Sequence, residues 1–242
     1  MREASLKVFI LEHTPDPESV VAFSARLCYS PVSIDELKEK ITEDEKSRLI
    51  NILIKSGHLS PFEHVSFTFA VEGISRACSH QLVRHRIASY SQQSQRYVSE
   101  EKGFDFIIPP IIKENEETRA LFLEAMNKTH EYYCQILEAL EKRGFKGELA
   151  RQDARFVLPN AAETKIVITM NARELLHFFR VRCCNRAQWE IRNLATDMLK
   201  LVKGISPLLF KNAGPPCLTD RCSEGKFSCG EIDKVRKKFK KL

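Results

Sequence analysis

The sequence is organised around one polar stretch, Arg84-His-Arg-Ile-Ala-Ser-Tyr-Ser-Gln-Gln-Ser-Gln-Arg-Tyr97. No Asp or Glu occurs between Gly73 and Ser99, although acidic residues are frequent elsewhere. A guanidinium group carries a permanent charge and five donors, which match a phosphate bidentately. We therefore predict an anion-binding site here, with Ser and Gln side chains as further donors. The acid-free window contains four arginines: Arg76, Arg84, Arg86 and Arg96.

The length and composition of the chain are those of a globular protein with a sizeable core. The chain has 242 residues, of which 43% are hydrophobic, and a formal net charge of +6. That length suffices for one large domain or two small ones. The opening residues contain no long apolar run, so we expect neither a signal peptide nor a transmembrane helix, and we expect a cytoplasmic protein. Part of the positive charge lies in residues 234–242, which we predict to be a solvated tail.

The eight cysteines divide into two groups. Five have apolar or helical surroundings and unrelated spacings, as expected of reduced cytosolic thiols: Cys28, Cys78, Cys134, Cys183 and Cys184. The other three are spaced Cys217-x4-Cys222-x6-Cys229, which leaves a weak zinc site or a loose tail as alternatives. We assign no metal, because a well-spaced fourth ligand is lacking. Cys78, Cys183 and Cys184 are the candidates for a nucleophilic thiol, but no motif pairs any of them with a base, so we favour buried structural thiols.

Hydrophobic periodicity predicts mixed helices and strands. Strands are predicted at residues 6–12, 65–71 (bounded by Gly73) and 164–170, where β-branched and aromatic residues concentrate. Helices are predicted at residues 19–28, 43–56, 75–86, 114–144, 147–157, 172–182 and 188–202. The segments 58–64 and 89–94 are predicted as loops. The first of these is bracketed by His58 and His64, which we interpret as local hydrogen-bonding residues rather than metal ligands.

The predicted helix 75–86 would place Arg76, His80 and Arg84 on one face. Stacked cationic groups repel one another, and a shared anion would relieve that repulsion. The alternative is that the arginines pair with carboxylates from elsewhere in the fold. For four arginines in an acid-free window we favour the ligand. Neither a GxGxxG turn nor a GxxxxGK[ST] loop is present.

The polar stretch also carries a family resemblance. Arg84-His85-Arg86-x-x-Ser89-x-Ser91-x-x-Ser94-x-Arg96 resembles the RHRxxSxNxxSxR signature of the flavin-dependent thymidylate synthases, with Ser91 in the place of Asn. The resemblance covers roughly residues 50 to 200. Its flanking segments, in the family's order, are Ser56–His64, Phe67–Phe69, Ala154–Pro159, Asn171–Arg173 and Ala187–Glu190.

The resemblance implies reductive methylation of dUMP to dTMP. The carbon would come from 5,10-methylenetetrahydrofolate and the electrons from NADPH through FAD, with tetrahydrofolate released. We expect an α/β (α+β) fold with a central, mostly antiparallel sheet and flanking long helices, forming a single domain that assembles as a homotetramer. Residues 1–215 would form the synthase domain and residues 216–242 a cysteine-containing basic tail. The competing hypothesis is a non-enzymatic nucleic-acid-binding module, although the arginine window lacks the repeated aromatic residues of a base-stacking platform.

The resemblance also implies the site residues. Arg182 would be catalytic, favouring ionisation of the uracil ring at N3. His58 and Tyr97 would line the pocket, and no metal is expected. His177 stands where we would expect Asn. The dUMP-binding residues would be Gln81, Leu82, Val83, Arg84, Gln92, Gln93, Ser94, Gln95, Arg96, Arg155 and Arg182. The FAD-binding residues would be Ser60, Arg84, His85, Arg86, Gln92, Asn171, Ala172, Arg173 and His177.

Overall fold

The computed structural model describes residues 1–242 and shows two compact units. Unit 1 comprises Met1–Lys7, Val71–Arg84 and Tyr90–Val167. Unit 2 comprises Val8–Ala70, His85–Ser89 and Ile168–Leu242. Neither unit is a continuous length of chain, so no boundary shows as a change of composition along the sequence.

A four-stranded antiparallel sheet has the strand order β1-β2-β4-β3. Its strands are β1 (Lys7–His13), β2 (Ser66–Ser75), β3 (Ala88–Gln92) and β4 (Glu163–Asn171). Buried and less buried residues alternate along β2 and β4, as the two-residue period of a strand requires. The predicted antiparallel sheet is therefore confirmed, as are the strands expected near residues 6–12 and 164–170.

Strand β2 continues past Gly73, where the sequence suggested its end. Gly73 has a φ of 73°, and a Cβ there would lie 2.0 Å from the carbonyl oxygen of Ser5. Its N–H donates to Glu163 Oε1 at 2.8 Å. Glycine is therefore required by a close backbone approach rather than by a turn, and the prediction that it bounds the strand was wrong.

Eleven α-helices accompany the sheet. They are α1 (Pro17–Leu27), α2 (Ile34–Lys40), α3 (Glu43–Ser56), α4 (Arg76–Leu82), α5 (Pro110–Lys113), α6 (Glu116–Lys142), α7 (Glu148–Ala154), α8 (Ala172–Arg182), α9 (Trp189–Ile205), α10 (Pro207–Phe210) and α11 (Ile232–Phe239). The caps explain why several bounds were predictable. Thr42 Oγ1 accepts from the N–H of Glu45 at 3.3 Å, and Gly57 ends α3 with a φ of 73°.

Two predictions around the polar stretch were wrong. Helix α4 ends at Leu82, so Arg84 lies in the turn beyond it and does not share a helical face with Arg76 and His80. Like charges stacked every four residues disfavour further helix, and the turn instead allows His85 to be buried. Residues 89–92 of the predicted loop 89–94 belong instead to β3 at the edge of the sheet, where backbone pairing needs no apolar periodicity.

Two smaller differences also concern local geometry. Residues Ser60–His64 form a 3₁₀ turn rather than an irregular loop, and the predicted helix 147–157 is divided into α7 and a 3₁₀ turn over Arg155–Val157. The C-terminal segment is not simply solvated, because Val235 and Phe239 of α11 are buried. Arg236 Nε also donates to the carbonyl oxygen of Cys217 at 2.8 Å.

Aromatic side chains of α8 pack into the core of unit 2. The rings of Phe178 and Phe179 are 5.8 Å apart, and Phe179 meets Phe210 edge-on at 6.0 Å. Phe210 in turn contacts Phe67 of β2 at 5.6 Å. This packing fixes the position of α8 and, with it, the side chain of Arg182 at the end of the helix.

None of the helices combines the length and the apolar composition that a membrane-spanning helix requires. Nor does any group of three or more His, Cys, Asp or Glu side chains have an arrangement that could hold a metal ion.

Candidate active site

The predicted site residues divide between the two units. Unit 1 contains the predicted dUMP-binding residues other than Arg182, together with Tyr97. Unit 2 contains Arg182, His58 and the predicted FAD-binding residues other than Arg84 and Gln92. The structure therefore brings each predicted set largely together within one unit, although its members are distant in sequence.

In unit 1, Gln92 is anchored at the end of β3. Its Nε2 donates to Ser79 Oγ at 3.0 Å and to Thr164 Oγ1 at 3.1 Å. The N–H of Gln93 donates to the carbonyl oxygen of Lys165 at 2.9 Å. These bonds fix the point at which the chain leaves the sheet and enters the Ser94–Tyr97 turn.

Ser94 organises that turn. Its Oγ accepts from the N–H of Arg96 at 3.2 Å, and its carbonyl oxygen accepts from the N–H groups of Tyr97 and Val98 at 3.2 and 3.0 Å. Such local bonds from a serine hydroxyl stabilise turns at the expense of helix or strand. The Arg96 guanidinium lies 5.5 Å from the centroid of the Tyr97 ring.

Arg96 has one acidic partner. Its Nη2 forms an ion pair with Glu148 at the start of α7. For this arginine, the alternative prediction of pairing with a carboxylate from elsewhere in the fold is therefore correct. Its Nε, however, is buried and has no hydrogen-bond acceptor. A buried donor without an acceptor costs free energy, and an additional anion would satisfy it.

The other cations of unit 1 are less well compensated. The pKa of Arg76 is lowered by burial and then by the nearby positive charge of Arg155. Arg155 donates from Nε only to the carbonyl oxygen of Gln152, at 3.2 Å. Neither arginine forms an ion pair, and neither does the exposed side chain of Arg84. Arg76 and Arg155 are thus close enough for their positive charges to interact, and neither has a carboxylate partner, which favours an anionic ligand.

In unit 2, the start of α8 borders an open cleft of about 430 Å³. Asn171 caps the helix, its Oδ1 accepting from the N–H of Glu174 at 2.8 Å, as predicted. Arg173 is exposed and forms an ion pair with Glu63. The cleft offers amide, guanidinium and imidazole donors beside one aliphatic side chain. Its lining residues are Glu63, Ile87, Asn171, Arg173, Glu174 and His177.

His85 lies beneath this cleft rather than on its surface. It is only 7% exposed, and its ring meets Phe178 edge-on at 4.9 Å. Arg182 Nε donates to His85 Nε2 at 3.0 Å, and His85 Nδ1 lies 3.3 Å from Glu174 Oε1. Burial, followed by the charges of Arg182 and His177, lowers the pKa of His85 to about 4. At neutral pH His85 is therefore an uncharged hydrogen-bonding group.

The remaining predicted residues are more accessible. Tyr97 is 65% exposed. His58, Ser60, Arg84 and Arg86 are also exposed. The side chains of Arg84 and Arg86 make no hydrogen bond or ion pair, so both are available to a ligand.

Sequence reasoning missed three acidic residues that contact the predicted site: Glu63, Glu148 and Glu174. Glu174 carried a usable signal. It precedes Phe178 by four residues and Arg182 by eight, which places a carboxylate on the same helical side as a core phenylalanine. A carboxylate in that position requires a polar partner. Glu63 is exposed and Glu148 is half-buried, and neither carried such a signal.

The chain is similar to known proteins over nearly its whole length. Residues 9–208 match the family model described as "Thymidylate synthase complementing protein". The flavin-dependent thymidylate synthase of Clostridium tetani is 53% identical over 240 residues, which is 96% of either chain. That of Geobacter sulfurreducens is 53% identical over 238 residues, covering 98% of this chain and 99% of the relative. That of Pyrococcus furiosus is 39% identical over 246 residues, covering 98% of each.

The match to this family model shows the class of protein, which is one associated with thymidylate synthesis. The relatives define it further, and the chain belongs to the flavin-dependent thymidylate synthase family. The resemblance inferred from the polar stretch is thereby confirmed. The nucleic-acid-binding alternative finds no support in these comparisons.

Proposed function

We propose that this protein makes dTMP by reductive methylation of dUMP, with 5,10-methylenetetrahydrofolate as carbon donor, FAD as cofactor and NADPH as reductant. Similarity over nearly the whole chain to enzymes named flavin-dependent thymidylate synthase supports the activity. The structural observation that carries it is the arginine cluster of unit 1 (Arg76, Arg96 and Arg155), in which Arg76 and Arg155 have no ion pair. Arg155 disfavours the positive charge of Arg76, and Arg96 Nε is buried without an acceptor.

The nucleotide phosphate would bind at this cluster. The turn organised by Ser94 presents Arg96, whose Nε would gain an acceptor from a phosphate oxygen. The phosphate charge would also offset the repulsion between Arg76 and Arg155. We assign the rest of the nucleotide contacts to Gln81–Arg84 and Gln92–Gln95.

Arg182 would act on the uracil ring. Its guanidinium is oriented by the hydrogen bond that Nε donates to the neutral ring of His85. A fixed cation stabilises an anion that develops beside it. We therefore assign Arg182 the role of favouring deprotonation at N3, which makes C5 more electron-rich.

The donors of the unit 2 cleft fit a flavin dinucleotide. Asn171, Arg173 and His177 could bind its polar groups while Ile87 contacts an apolar surface. Bound FAD would supply hydride chemistry that no amino-acid side chain can perform. Ser60, Arg84, His85, Arg86, Gln92 and Ala172 would complete the binding residues, and we assign His58 and Tyr97 to the lining of the pocket.

We also propose the homotetramer and the division at residue 215. Phe9 and Leu11 are 51% and 56% exposed on β1, which is an edge strand of the sheet. Exposed apolar side chains on an edge strand favour association. The mass of the protein from light scattering would test the assembly. A shortened chain ending at residue 215 that folds and binds flavin would support the division.

The activity is tested with purified protein supplied with FAD, methylenetetrahydrofolate and NADPH. We expect dTMP by chromatography only when dUMP is present, with NADPH consumed in parallel. Flavin-loaded protein that makes no dTMP would overturn the proposal. Arg182→Ala should abolish most turnover while flavin absorbance is retained. The matched control is Arg119→Ala, an exposed arginine of α6 without an ion pair, which should behave as wild type.

A further inference from the structure

Helix α8 presents three side chains to the ring of His85. Glu174, Phe178 and Arg182 follow one another at intervals of four residues, so they share one side of the helix over about 12 Å of its length. Glu174 meets Nδ1 of His85 and Arg182 meets Nε2, while Phe178 packs edge-on against the ring. Both ring nitrogens are thus engaged by opposite ends of the same helix.

These contacts determine the tautomer of His85. An arginine N–H can only donate, so Nε2 of His85 must be the acceptor and carries no proton. A neutral imidazole then has its proton on Nδ1, from which it donates to Glu174 Oε1. If Glu174 were protonated and donated to Nδ1, the histidine would need its proton on Nε2, facing the N–H of Arg182.

Burial makes this arrangement consequential. His85 and Glu174 are each 7% exposed, so neither can exchange its partner for bulk water. The pKa of Glu174 is raised, because burial outweighs the opposing effect of His177. The hydrogen bond donated by His85 favours the ionised form. The carboxyl group and the arginine thus contact opposite nitrogens of an uncharged ring.

We propose that Glu174 is a positioning residue for the reaction, which fixes the Nδ1–H tautomer of His85 so that Nε2 can hold Arg182 by its Nε. The catalytic part of this inference rests on the function proposed above for Arg182. The relay of hydrogen bonds from Glu174 through His85 to Arg182 does not depend on that function. A carboxylate orienting a histidine through one ring nitrogen, while the other performs its task, is a general way of fixing tautomer and ring direction.

The tautomer is tested directly by ¹⁵N NMR of histidine-labelled protein, without any ligand. His85→Gln assigns the signals of His85. In the wild type we expect a protonated Nδ1 and an unprotonated Nε2 at neutral pH. Glu174→Ala should shift population towards the Nε2–H tautomer, whereas Glu174→Gln should preserve the wild-type pattern because its amide oxygen can accept the same bond. A wild-type signal from the Nε2–H tautomer would overturn the proposal, as would an unchanged signal in Glu174→Ala.

Kinetics test the positioning role. Losing the hydrogen bond to a buried charged group should lower kcat for dTMP formation in Glu174→Ala by about 10-fold or more, with FAD binding retained. Glu174→Gln should stay within about 3-fold of wild type. The control is Glu131→Ala, which removes an exposed carboxylate of α6 and should leave kcat unchanged.

The two proposals fail in different ways. A wild type that makes no dTMP removes the catalytic function but leaves the NMR result to decide the relay. A wild type that turns over, with Glu174→Ala equally active, removes the positioning role alone. If Glu174→Ala does not fold, the wild-type tautomer and the Glu174→Gln kinetics remain decisive.

Discussion

Glu148, in the first turn of α7, forms an ion pair with Arg96, the last arginine of the polar stretch. This carboxylate occupies one side of the guanidinium that we assign to the nucleotide phosphate. Both side chains are about two-fifths exposed, so the pair contributes no more than about 1 kcal/mol. A dianionic phosphate can therefore compete with it.

Removing the Glu148 charge should strengthen dUMP binding. We expect Glu148→Gln to lower the KM for dUMP by about 2- to 5-fold, because 1 kcal/mol corresponds to roughly 5-fold, with kcat nearly unchanged. Steady-state kinetics at varied dUMP measures this, with Glu131→Gln as the control for general charge. A raised KM would mean that Glu148 holds Arg96 in its binding position instead of competing with the phosphate.

Ser94 should matter through the turn that it organises. Ser94→Ala removes the acceptor for the N–H of Arg96, so we expect the KM for dUMP to rise by about 10-fold or more. The free energy of unfolding should fall by only about 1 kcal/mol, because the bond is a single local one. The comparison is Ser223→Ala, an exposed serine with no hydrogen bond. Wild-type kinetics in Ser94→Ala would remove Ser94 from the proposed site.

The sequence predicted those features that depend on local chemistry. The helix caps at Thr42, Gly57 and Asn171 were predictable because a cap bonds only to residues within four positions along the chain. Family membership was predictable because the polar stretch and its flanking motifs carry it. The predicted site residues of each unit, however, come from segments as distant as His85 and Arg182, and spacing along the chain does not encode such contacts.

The errors have a common cause. The neighbours of Gly73 in sequence indicated a strand end, whereas the backbone of Ser5 is what requires glycine there. Residues 88–92 lacked periodicity because pairing with β4, rather than burial of side chains, makes them a strand. The acid-free window gave no sign of Glu148 and Glu174, because both carboxylates come from segments far along the chain. In each case a partner from another segment overrode the local pattern.

Gly73 offers a direct test of that explanation. An alanine there would place Cβ 2.0 Å from the Ser5 oxygen and would keep a φ of 73°, which L-residues disfavour. We expect Gly73→Ala to lower the free energy of unfolding by at least about 2 kcal/mol. Gly204→Ala is the matched control, since a Cβ added at this position in α9 would have no atom within 4 Å. It should stabilise the protein by up to about 1 kcal/mol. Equal stability of the two variants in urea would contradict this account.

The neutral, buried His85 should make the protein less stable in mild acid. Its folded pKa, about 4, lies below the ordinary value of 6.5, so between these values the unfolded chain binds more protons than the folded protein. Stability therefore falls as the pH drops from 6.5 towards 4. At pH 5 the lowered pKa of His85 reduces the free energy of unfolding by about 2 kcal/mol.

The effect is isolated by comparing wild type with His85→Gln, which has no titrating ring. Between pH 7 and pH 5 the free energy of unfolding in urea should fall by about 2 kcal/mol more in the wild type than in the variant. His80→Gln, which changes an exposed histidine of α4, should lose stability over this range as the wild type does. Parallel losses in wild type and His85→Gln would mean that His85 is protonated in the folded protein at pH 5, and Arg182 could then no longer donate to it.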